Sequence, residues 1–72
     1  MTQTDMVLRY MQEVGGITPW EAMREFGIMR LGARIYDLKR MGVEVNREMV
    51  SNTNRFGKTV RYARYTVEGG GR

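Results

Sequence analysis

Three arginines, Arg30, Arg34 and Arg40, fall within a short stretch of this 72-residue chain. A guanidinium is always charged and carries a planar fork of donors, so it binds phosphate oxygens and can pair with O6 and N7 of guanine. A second basic pair, Arg55 and Lys58, sits in Asn54-Arg55-Phe56-Gly57-Lys58, where cations suit phosphate. Other chemistries lack their residues. There is no cysteine and no histidine, which removes thiolate and imidazole metal ligands and the commonest general base. The eight carboxylates are scattered, with no Asp-x-Asp loop and no tight glutamate cluster. The sequence therefore predicts no catalysis, no metal and no cofactor.

The charge is unevenly spread. Residues 1–29 hold two basic and four acidic side chains, a net −2; residues 30–64 hold nine and three, a net +6; residues 65–72 balance. The basic half suits a polyanion, nucleic acid above all, although lysine and arginine on small domains often serve only solubility. A mimic of DNA is disfavoured, because mimicry needs an acidic surface. No apolar run approaches the ~18–20 residues needed to span a bilayer. With no signal-peptide pattern at the N-terminus, the expectation is a cytoplasmic protein with no membrane partner.

These residues must be held by a few short elements. Thr2 and Asp5 precede a helical stripe of Val7, Tyr10, Met11 and Val14, which Gly15-Gly16 ends. Ile17 stands alone and suits a very short strand, the third member of a small sheet. Thr18 opens a second helix with two signals. Thr18 and Glu21 form a capping box, and Pro19 occupies the first helical position, where a missing N–H costs nothing. Ala22, Met23 and Phe26 face inward, and Gly27 stops the helix in the left-handed conformation. A third helix runs from about Arg30 to Met41, with Leu31, Ile35 and Leu38 in one narrow arc. Ala33, Tyr36, Asp37 and Arg40 lie opposite. Gly32 weakens this helix and permits close approach, either of DNA or of a neighbouring helix.

Beyond Gly42 the period changes to two. Val43 and Val45 alternate with polar residues, and Met49-Val50 extend the segment. Residues 51–57 are rich in turn formers, and Lys58–Val67 is dense in β-formers. The order is helix, short strand, helix, helix, strand, wing loop, strand. It is the order of an α+β winged helix-turn-helix, three helices with a two- or three-stranded antiparallel wing, in one domain over residues 1–67. Residues 68–72, with three consecutive glycines, form an expected flexible tail.

In that fold the third helix offers its start, Met29-Arg30, and its outward residues Ala33 and Asp37 to base edges. Arg30 suits guanine, and Arg34 and Arg40 suit phosphates or bases. Arg34 can equally lay its stem on the core edge and pair with Asp37, whose carboxylate repels phosphate and orients an arginine. Arg55 and Lys58 suit phosphates at the wing tip. Phe56 either folds back on the core, the favoured reading, or wedges against a sugar or a base step. Arg47, Arg61 and Arg64 read as solvated strand residues. Trp20 packs at a core edge or, in the sharper reading, anchors a protein partner. The sequence contains no dedicated dimerisation helix. A homodimer remains compatible with it, since one such module buries only about 600–1,000 Å² on DNA.

Four runs carry a family resemblance: Ile17-Thr18-Pro19-Trp20-Glu21-Ala22, Phe26-Gly27-Ile28, the segment Arg30-Leu31-Gly32-Ala33-Arg34-Ile35-Tyr36-Asp37-Leu38-Lys39, and Ala63-Arg64-Tyr65. Together they make residues 3–67 resemble the small winged helix-turn-helix domains encoded by bacteriophages and prophages. The resemblance implies a non-enzymatic protein of the bacterial host cytoplasm that binds duplex DNA, as in transcription regulation. It also implies an alternative, since small phage proteins reuse this fold as inhibitors of CRISPR nucleases or of host transcription. Trp20 is then the candidate anchor for a host defence or transcription protein.

Overall fold

The computed structural model describes residues 1–69. Helix α1 spans Gln3–Val14, α2 Pro19–Phe26 and α3 Leu31–Arg40, followed by strands β1, Val45–Thr53, and β2, Val67 being the last residue of Thr59–Val67. Local chemistry sets each boundary. Thr2 Oγ1 accepts from the Asp5 amide at 3.1 Å, and the Asp5 carboxylate accepts from the Thr2 amide at 3.2 Å, closing a capping box on α1. These hydrogen bonds favour the ionised form and hold the Asp5 carboxyl below its ordinary value. Thr18 and Glu21 repeat the device on α2. Gly27 ends α2 at φ 68°, and its amide donates to the Met23 carbonyl at 2.9 Å. Gly42, at φ 93°, turns the chain out of α3. Arg30 and Met41, expected as the ends of α3, are its caps.

The core is small. Val7 and Met11 of α1, Ile17, Ala22 of α2, Ile28 of the inter-helix turn, and Leu31, Ile35 and Leu38 of α3 are buried together. Tyr65 and Val67 of β2 and Val45 of β1 pack against them from the sheet side. Tyr10 and Phe26 join α1 to α2 edge-to-face, ring centroids 5.6 Å apart, within the favourable range for aromatic pairs. Two inward expectations are corrected. Val14 is 52% exposed and Met23 is 46% exposed. Val14 is the last residue of α1, beside the Gly15 cap, and Leu8 packs on the core instead. The eight-residue α2 buries only Ala22 fully, so Met23 rides at its rim.

Strands β1 and β2 pair antiparallel from Val45↔Val67 to Thr53↔Thr59. Ser51, Asn52 and Thr53, expected in the turn, are therefore ladder residues. The tight turn at Asn54–Lys58 sets the register, and backbone pairing overrides the low strand propensity of Asn52. Ile17 and Tyr65 exchange both backbone hydrogen bonds, at 2.8 and 2.9 Å, so Ile17 supplies the expected third strand as a single bridge. Nine-residue strands rise about 30 Å, and the molecule measures 39 × 23 × 22 Å. Every residue from 51 to 61 is exposed, and of the helices α2 approaches this part of the wing through Trp20, which lines a cleft with Asn52–Asn54 and Val60–Tyr62. Of the expected tail, Glu68 and Gly69 form a turn and residues 70–72 lie outside the described residues.

Candidate nucleic-acid interface

Helix α3 buries Leu31, Ile35 and Leu38, so its opposite side must face outward. That side exposes Gly32, Tyr36 and Arg40, continued by Met29, 80% exposed, and Arg30. A Cβ on Gly32 would meet no atom within 4 Å. Packing on a neighbouring helix therefore does not explain the glycine. The Arg40 guanidinium lies over the Tyr36 ring, 5.9 Å from its centroid, a cation–π contact that braces the long side chain. Among the described residues neither Arg30 nor Arg40 has an ion-pair partner. Lys39 and Arg40 also occupy the last turn, where cations complement the helix dipole.

Arg34 is placed differently. Its Nη1 donates to Gln3 Oε1 of α1 at 3.1 Å, and its Nε lies 3.2 Å from Asp37 Oδ2. The Nε–carboxylate approach is a charge contact without hydrogen-bond alignment, and this buried Nε has no hydrogen-bond partner. Arg34 and Asp37 thus form a half-buried clasp between α3 and α1. Ala33 is half-buried beside them.

The wing tip is ordered by one side chain. Asn54 Oδ1 accepts from the amides of Phe56 at 3.0 Å and Lys58 at 3.1 Å, while the Asn54 amide donates to the Lys58 carbonyl at 2.8 Å. Gly57 takes φ 78°, and its amide donates to the Asn54 carbonyl. Arg55 and Lys58 project from this frame, exposed and without ion-pair partners among the described residues. Phe56 does not fold back on the core; it is 83% exposed. The strand residues that pack on the core, Val45, Tyr65 and Val67, lie at the opposite end of the ladder from the tip. Arg64 is also more than a solvated strand residue. It pairs with Glu48 at 3.1 Å across the wing and lays its guanidinium over Gly16, where a Cβ would come within 2.5 Å of Cζ.

Trp20 is 72% exposed, so it is not core-edge filler. With Pro19, Met23, Ile28, Met29 and Tyr62 it lines an apolar groove of about 330 Å³ between α2 and the wing. The expected set is thus brought to four places, of which the clasp toward α1 holds Arg34 and Asp37 with Ala33 beside them. Met29, Arg30 and Arg40 share the open side of α3, Arg55 and Lys58 share the wing tip, and Trp20 lies in the groove between α2 and the wing. Sequence reasoning leaves Tyr36 out of the site and favours folding Phe56 back on the core over a wedge on DNA. Tyr36 is legible from its wheel position opposite Leu38 and Leu31, whereas the exposure of Phe56 depends on the length of the strand ladder.

The winged helix-turn-helix domain family matches residues 2–68. The chain belongs to that family. Searches of curated proteins and of solved structures give no match. Membership agrees with the three helices and antiparallel wing described above, and a winged helix-turn-helix suggests a DNA partner. Among the described residues no helix is long and apolar enough to cross a membrane.

Proposed function

We propose that this chain is a non-enzymatic, duplex-DNA-binding protein of the type encoded by bacteriophages and prophages, acting in the bacterial cytoplasm. Met29 and Arg30 just ahead of α3, with Ala33 and Arg40 on it, meet the major groove, and the Arg34–Asp37 clasp braces α3 against α1 beside them. Arg55 and Lys58 hold the backbone. The observation that carries this reading is the pairing pattern of the cations. Arg30, Arg40, Arg55 and Lys58 are exposed without carboxylate partners among the described residues, at α3 and the wing, the two elements that a winged domain lays on DNA. The reading is tested by selecting bound duplexes from a random pool at low salt and titrating the winners. Enrichment of a short shared sequence is expected; no duplex binding after selection removes the reading.

A second reading rests on the exposed Trp20 and its apolar groove with Met23 and Met29. It is an inhibitor that docks on a host defence or transcription protein. Tryptophan in an apolar groove is a typical interface anchor. A Trp20→Ala variant would then lose about 2 kcal/mol or more of partner affinity while keeping duplex binding and its melting temperature. Full partner affinity in a stable variant defeats this reading.

A further inference from the structure

Phe56 has the highest fractional exposure of the large apolar side chains in the described residues. It is also among the most firmly presented, since Asn54 Oδ1 holds the amides of both Phe56 and Lys58 and Gly57 closes the turn. Phe56 stands between Arg55 and Lys58 in the tip sequence, with Arg61 further down the strand, and there is no carboxylate between Glu48 and Glu68. A planar apolar group at the apex of a narrow hairpin whose distal half carries basic side chains and no carboxylate fits a ligand with anionic rails and an apolar, stacked interior. Duplex DNA has that construction, and its minor groove, about 6 Å wide, admits a hairpin tip better than a helix.

We propose that Phe56 is a minor-groove wedge. Arg55 and Lys58 sit on the phosphate rows, and the phenyl ring enters one base step and unstacks it, kinking the duplex toward the major groove. Apolar wedges of this kind kink DNA by about 20–90°. The cheapest steps to open are TA and CA/TG, so the wing selects sequence at a step it does not hydrogen-bond. The inference rests on the DNA-binding reading above.

The test uses the full chain on a duplex selected from a random pool. 2-Aminopurine is placed at successive positions to report unstacking, and end-to-end energy transfer reports bending. Wild-type protein should brighten 2-aminopurine at one step and shorten the end-to-end distance. Phe56→Leu, still an apolar wedge, should retain both signals. Phe56→Ala should lose both while keeping the melting temperature and the salt dependence of binding, because the ring touches no core residue and carries no charge. Wild-type binding to a straight, fully stacked duplex overturns the wedge and leaves the DNA reading intact. The same holds if Phe56→Ala bends DNA as wild type does. Binding to vesicles containing anionic lipid, with no binding to any selected duplex, overturns both and seats the ring in a bilayer.

Discussion

Arg30 and Arg34, one helical turn apart, illustrate how far neighbouring side chains of one type diverge in role. Arg30 caps α3 with its side chain unengaged, whereas Arg34 is committed to Gln3 and Asp37. Arg30→Ala should therefore relax sequence preference, at a cost of about 1–3 kcal/mol for the base it reads, and leave the melting temperature unchanged. Arg34→Ala should do the reverse, losing up to about 1 kcal/mol of stability with base preference retained. Competition titrations against single-base variants, beside thermal melting, check both. Gly32 gives a sharper contrast. Its Cβ space is empty in the free protein, so Gly32→Ala should stabilise α3 by up to about 1 kcal/mol. If α3 lies against DNA there, the same methyl should weaken duplex binding, and a variant that melts higher yet binds worse is the expected result. Much at this scale is legible in the sequence. Leu31, Ile35 and Leu38 are identified by spacing alone, because a buried stripe must repeat with the helix. Trp20 and Phe56 are not, since each lies where an element meets open solvent and periodicity carries no information about what stands opposite.

Elements are legible where their ends are written in local chemistry. Thr18, Pro19, Glu21 and Gly27 fix α2 through caps that reach only three or four residues. The extent of β1 is not local, since it depends on pairing across the turn, with a partner six positions away at Thr53 and twenty-two at Val45, and so Ser51–Thr53 look like turn in isolation. Glu21 does more than close its own cap. One carboxylate oxygen accepts from the Thr18 amide at 3.1 Å and hydroxyl at 3.0 Å, and the other accepts from Tyr10 Oη of α1 at 2.7 Å. Thr18→Ala should cost about 1 kcal/mol, lowering the melting temperature by roughly 4–8 °C for a domain this size, with affinity per folded molecule unchanged. The Tyr10 contact has a pH signature. Its hydrogen bond to Glu21, then desolvation and the Glu21 charge, raise the phenol above its ordinary value of 10.0. A group raised on folding contributes stability that is complete below its unfolded pKa and is lost as pH rises through the folded one. Melting temperatures taken from pH 8 to 11 should fall more steeply for the wild type above pH 10 than for Tyr10→Phe.

At the scale of the whole molecule, the division of charge between residues 1–29 and 30–64 places the net positive charge on α3 and the wing. About four to six phosphate contacts give a slope of roughly −4 to −5 for log affinity against log salt. Lys58→Ala should reduce its magnitude by about one, equally for all sequences. A flat salt response would separate the binding from this basic surface. The overall layout is legible because seven short segments in this order leave few ways to bury so small a core. The reach of the wing is not legible, as it follows from the full ladder between Val45 and Val67. The Ile17–Tyr65 bridge has one more consequence, in the order of events during synthesis. All three helices leave the ribosome before Tyr65 does, and until it arrives the segment ahead of Thr18 has no strand to pair with. Domains generally fold as units once their chain is available. The nascent chain therefore carries a helical half whose Ile17 edge stays open until β2 emerges.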